Sequence, residues 1–143
     1  MKTKTIAMLI STLIAAAVTA TAAHAADVRV TIEGVASAEG KVMLALFDKA
    51  ADFPRGKMSL GNMAPAAAGA VKVVFADVPP GRYAISAFHD VNGNQRLDAN
   101  MVGIPSEPYG FSKDARGKMG PPSFDEAAFE VGKDTVNLTI RVK

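Results

Sequence analysis

The 143-residue sequence has no cysteine, no tryptophan and only two histidines. Without thiols there is no disulfide to staple the fold, no thiolate nucleophile and no thiolate ligand for a metal. Stability must come from a buried core. One histidine, His24, falls in a leader-like N-terminal stretch, so His89 alone remains as an imidazole base or ligand. Neither Ser86 nor Ser106 stands in a G-x-S-x-G context, and a zinc site wants more histidine than this. His89 is read as the end of a strand. The remaining route to hydrolysis is a carboxylate pair among Asp90, Asp98 and Glu107, and proximity in sequence fixes no separation between carboxyl groups. Enzymatic activity is therefore not expected, with a carboxylate hydrolase ranked third among the functions considered.

Basic excess is scarce as well. Of 16 Lys and Arg against 14 Asp and Glu, Lys2 and Lys4 belong to the leader-like stretch, so 14 basic residues balance 14 acidic ones beyond it. A nucleic-acid partner requires a clustered cationic face that displaces counterions, and this balance argues against one.

What is present begins with MKTKTIAMLISTLIAAAVTATAAHA: two lysines, an apolar run, and the small-x-small triplet Ala23-His24-Ala25. This is the pattern of a signal peptide cleaved after Ala25, which predicts a periplasmic or secreted protein that does not span the membrane. Residues 1–25 are the leader and residues 26–143 a single domain. That length buries roughly two-thirds of its unfolded surface.

Period-two alternation marks strands over DVRVTIEGV (27–35), GKVMLALFD (40–48), AVKVVF (70–75), RYAISAFH (82–89), 128–131 and TVNLTIRV (135–142). The turn-rich SAEG (37–40), DVPPGR (77–82) and GKD (132–134) read as tight hairpin connections. With no amphipathic helical run, six to seven such strands predict an all-β, antiparallel sandwich of immunoglobulin-like or transthyretin-like type. Residues 49–69 read as loop with a turn of helix near Ala50 to Phe53. A second long connection, 99–124, carries four prolines and four glycines. Its Tyr109, Phe111 and Phe124 argue for an ordered segment folded over an edge or an open end of the sandwich.

Between the strand ending at His89 and that long connection lies HDVNGNQRLD. Side-chain oxygens recur at Asp90, Asn92, Asn94 and Asp98, the spacing of positions 1, 3, 5 and 9 of a calcium loop, with the Arg96 carbonyl at position 7. A hard cation wants six to eight oxygens, and alternate residues of a tight loop can aim them inward. The glycine stands at position 4, Gln95 at position 6, and Met101 where a bidentate glutamate belongs, so this is no EF-hand, and affinity of about 0.1 to 1 mM is expected. The alternative is an Asn92-Gly93 turn in which Asp90 and Asn94 satisfy backbone N–H groups. In the long connection, Pro105, Pro108, Tyr109 and Phe111 could form a rigid ledge for a sugar ring or an apolar ligand. Glu107, Lys113, Arg116 and Lys118 complete the interaction candidates, the cations as a rim for an anion. The competing reading packs the aromatics onto the sandwich.

The stretch FHDVNGNQRLDANMVGIPSEPYGFSKDARGKMGPPSFDEAAF, with GKVMLALFD and FADVPPGRYAISAFHD upstream, resembles the secreted bacterial family called domain of unknown function 2141. That resemblance covers nearly all of residues 26–143 and implies a β-sandwich, with no activity attached. DVNGNQRLDANMVGIP is also similar to the calcium loop of B-type repeats in surface adhesins, which implies Asp90, Asn92, Asn94 and Asp98 as ligands. VPPGRY is similar to a turn in carboxypeptidase regulatory-like sandwiches, which are non-catalytic. Together these readings predict a non-catalytic module that holds one weak structural calcium ion. Its long loop would meet a partner such as an envelope glycan, lipid or protein. A metal-free small-ligand or polysaccharide binder is the alternative.

Overall fold

A computed structural model describes residues 24–143; the leader reading falls almost wholly outside them. No helix among the described residues is long and apolar enough to cross a membrane. Among the described residues eight strands form two sheets: β1 (Ala26–Val35), β2 (Lys41–Phe47), β3 (Leu60–Pro65), β4 (Gly69–Val78), β5 (Gly81–Asp90), β6 (Tyr109–Phe111), β7 (Phe129–Val131) and β8 (Val136–Arg141). The smaller sheet has the order β4-β1-β8; the larger runs β3-β2-β5-β6, with β7 also on β5. The all-β sandwich expected from the alternation is the fold observed.

Its core follows directly from that alternation. Val28, Val30 and Ile32 of β1, Val71, Val73 and Phe75 of β4, and Ile140 of β8 point to one side and are buried. They meet Val42, Leu44 and Leu46 of β2 and Tyr83, Ile85 and Ala87 of β5 in a single apolar cluster. Each fully buried aliphatic side chain contributes about 1.5–3 kcal/mol of transfer free energy, which replaces the missing disulfides.

Several connections differ from their sequence reading. None of the three turn-rich segments 37–40, 77–82 and 132–134 closes a hairpin: β1 pairs with β4 and β8, β2 with β3 and β5, and β7 with β5. Each of these turns carries the chain from one sheet to the other. Nor is the sandwich wholly antiparallel, because β8 lies parallel to β1 over Val28–Glu33. Alternation tells which face of a strand is buried, but it carries no information about its neighbour or its direction. Strands β3 and β6 lie inside the segments read as loop. The sequence of β3, LGNMAP, is an edge strand with poor strand formers. The turn near Ala50 to Phe53 does form, through N–H bonds from Asp52 and Phe53 to the Lys49 carbonyl.

A second apolar cluster lies on the outer face of the large sheet. Phe47, Ala84, Phe111, Phe124, Ala127 and Ala128 are buried together, with Phe53 and Tyr109 packed against them. The Phe53 ring meets Phe47, Phe111 and Phe124 edge-on at 5.6, 5.7 and 6.1 Å. This packing orders the 99–124 connection, as its aromatics predicted. A one-turn helix, α1 (Phe124–Ala127), closes it with a capping box between Ser123 and Glu126. The Ser123 N–H and hydroxyl both donate to the Glu126 carboxylate and hold it below the ordinary glutamate pKa. That small contribution is present above the usual carboxylate range and is lost as the pH falls through the lowered value.

Ser112, fully buried, fills the gap between β6 and β7 along β5. Its hydroxyl accepts from the Ile85 N–H at 2.9 Å and donates to the Ala127 carbonyl at 2.6 Å. Both groups lack a strand partner at that point. Ser112→Ala is expected to lower stability by about 2 kcal/mol, because a buried donor and a buried acceptor lose their partner. Chemical denaturation reads this as a lower midpoint with unchanged slope.

Candidate functional site

Strand β5 ends at Asp90, where the chain leaves the sandwich and forms the 91–98 loop. His89 is fully buried, and its Nε2–H donates to the Glu39 carbonyl at 2.7 Å. A carbonyl only accepts, so Nε2 carries the proton, and Nδ1 has no partner among the described residues. The ring thus ties the strand end to the turn before β2 and makes no bond to a serine. Gly40, with φ +71°, lets that turn press its backbone against the carbonyls of Asp90 and Val91.

Asp90 is fully buried, and its two oxygens accept from the N–H groups of Asn94 (3.2 Å) and Gln95 (2.9 Å). These bonds wind the loop tightly enough that Gln95 adopts φ +63° and Gly93 φ +73°. Successive side-chain oxygens continue the winding: Asn92 Oδ1 accepts from Asn94 N–H and Asn94 Oδ1 from Arg96 N–H. Asp98 closes the loop. Its carboxylate accepts from Asn92 Nδ2 at 2.6 Å and from Asn94 Nδ2 at 2.9 Å. Asn94 therefore touches Asp90 through its backbone and Asp98 through its amide, so both carboxylates face the same residue.

Glu107 occupies a place that spacing alone did not reveal. It is 9% exposed, and its two oxygens accept from Val91 N–H (3.0 Å) and Asp98 N–H (3.1 Å), one at each end of the loop. The side chain read as an interaction candidate is turned inward as a brace. Among the described residues no group of three or more Asp, Glu or His side chains is placed to hold a metal ion. The loop's side-chain oxygens are those of carboxylates and amides, with the Asn92 and Asn94 Nδ2 groups turned to Asp98 and the two Oδ1 atoms accepting backbone N–H groups. Such oxygens fit a hard cation such as calcium and do not suit zinc or copper.

The other interaction candidates separate. Tyr109, Phe111 and Lys118 border one open groove of about 870 Å³ on the outer face of the large sheet. Phe111 is buried beneath it, so it is packed and does not project as a ledge. Arg116 donates its guanidinium to the Arg141 carbonyl at 3.2 Å, and Lys113 lies outside the groove, in the 3-10 turn Ser112–Asp114. The groove also takes in Arg55 and Arg96, which the sequence reading did not single out as groove cations, and residues of the 99–105 turn and the 117–121 arm. Five separate stretches between residues 54 and 121 build this surface, and no local motif signals it.

Residues 30–139 match the family described as "Uncharacterized protein conserved in bacteria (DUF2141)". The chain belongs to this family. The match spans the strands β2 to β7, the Asp90–Asp98 loop and the long connection, so the loop and the groove of this DUF2141 protein both lie within the family region. No curated protein and no solved structure matches the chain.

Proposed function

We propose that this DUF2141 protein is an exported, non-catalytic β-sandwich module whose Asp90–Asp98 loop holds one calcium ion. The observation that supports it is the convergence of Asn92, Asn94 and Asp98 on one another above the buried Asp90. The amide N–H groups that meet Asp98 stand where a cation would compensate its charge. Turning them away would leave Asp90, Asp98, the two Asn oxygens and the Arg96 carbonyl as ligands, with water completing the shell. Glu107 serves as the brace that keeps both ends of the loop in place. An ion bound only by the folded loop stabilises the folded state by mass action.

With dissociation near the weak end of the sensor-to-extracellular range, 5 mM calcium is expected to add about 1.4 kcal/mol, or about 5 °C in the unfolding midpoint. Magnesium, smaller and reluctant to lose water, is expected to shift it far less. Thermal unfolding of the purified protein with each ion makes the comparison. A midpoint unmoved by 5 mM calcium counts against the reading.

A further inference from the structure

The groove on the outer face of the large sheet differs in kind from the loop beside it. Its floor is Ser86 and Phe88 of β5 with Tyr109 and Phe111 of β6. One wall is Arg96, Leu97 and the 99–105 turn, where Asn100 Oδ1 accepts from the N–H groups of Val102 and Ile104 and holds their side chains outward. The opposite wall is the 117–121 arm. Val102, Ile104 and Met119 are 78%, 60% and 101% exposed, a cost in water that a ligand with an aliphatic body would relieve. The volume of about 870 Å³ falls within the range of small-molecule sites, about 300–1,000 Å³.

Charge selects the other end of such a ligand. Among the described residues, the only charged ones bordering the groove are Arg55, Arg96 and Lys118, and no Asp, Glu, Asn or Gln borders it. None of the three cations makes an ion pair among the described residues. The carboxylates and amides that commonly pair with sugar hydroxyls are missing from this lining among the described residues. An extended peptide would need a free strand edge, and the floor is a sheet face. We propose that this groove binds a monomeric anionic amphiphile, an aliphatic chain lying on Phe88 and Tyr109 between Ile104 and Met119, with its acid head held by Arg96, Lys118 and Arg55. The proposal does not depend on the calcium reading, since the groove is formed with the loop closed by its own hydrogen bonds.

Titration with sodium decanoate below its micellar concentration, in a chelating buffer and followed by calorimetry, tests this directly. Saturable one-to-one binding is expected, with decyltrimethylammonium at least tenfold weaker. Exchanging both Arg55 and Lys118 for Glu is expected to weaken decanoate about tenfold or more while leaving the unfolding midpoint near that of the parent. Met119→Ser is expected to weaken the ten-carbon acid more than the six-carbon one. Equal affinity for the cationic chain, indifference to the charge exchange, or binding to anionic vesicles with none to the monomer would each overturn the proposal. Because chelator is present, a negative result here says nothing against calcium in the loop, and failure of the calcium experiment leaves this result standing.

Discussion

Asp90→Ala is expected to destabilise the protein by about 3 kcal/mol, the largest loss expected from any side chain in the loop. The carboxylate is fully buried and accepts two backbone N–H groups, at 3.2 and 2.9 Å. Bonds to a charged acceptor are worth about 1.5–3 kcal/mol each, and water recovers part of that because Asn94 and Gln95 themselves are exposed. The same bonds hold Gln95 at φ +63°, a conformation a side chain adopts reluctantly, so their loss releases the whole loop. Asp90→Asn is expected to recover less than half of the difference, since its amide presents an NH2 group to one of two N–H donors. Urea unfolding measures both variants. A loss below about 1 kcal/mol for the alanine variant would mean that the loop does not depend on this carboxylate.

Gly40→Ala is expected to cost about 2–4 kcal/mol, from a positive φ and an overlap that cannot relax. A Cβ at this position would overlap the Asp90 carbonyl oxygen and come within 2.8 Å of that of Val91. Both obstacles are backbone, fixed by the pairing of Lys41 with Asp90 and by the bond from His89 to Glu39. The substitution therefore pries the start of β2 from the end of β5, the hinge from which the loop springs. Gly93→Ala makes the control: φ is also positive, at +73°, but nothing lies within 4 Å of the added methyl. Its cost is expected to be limited to the conformational part, about 1 kcal/mol. Similar losses at the two glycines would show that close approach at Gly40 contributes nothing.

The contrast between these glycines marks what was legible in the sequence. The alternation of Val28, Val30 and Ile32, or of Val42, Leu44 and Leu46, reports a buried face directly, and these residues are the core. Strand partners are set by non-local pairing, so SAEG looked like a hairpin turn and serves instead as a sheet-to-sheet link pressed against Asp90. Strand β3 was hidden because an edge strand can carry Gly, Asn and Pro without burying an alternating face. In the loop, a wound turn was readable because its contacts are local: Asp90 and Asn94 accept backbone N–H groups, as the turn alternative expected. Glu107 was not, since its bracing role depends on how residues 99–105 fold back on Asn100. Ser112 was equally silent, for it acts across the gap between β6 and β7, and so was the groove that Arg55 and Arg96 border, since distant segments build it.

Calcium in the Asp90–Asp98 loop is the central claim, and amide chemical shifts of the folded protein during a calcium titration test it most directly. The amides of Asn92, Asn94, Arg96 and Asp98 are expected to move together and saturate in the millimolar range. Those of the β1–β4 pair are expected to stay in place, and Asp98→Asn is expected to abolish the response. Loop resonances unchanged at 10 mM calcium, or changes scattered over the whole surface, would contradict it.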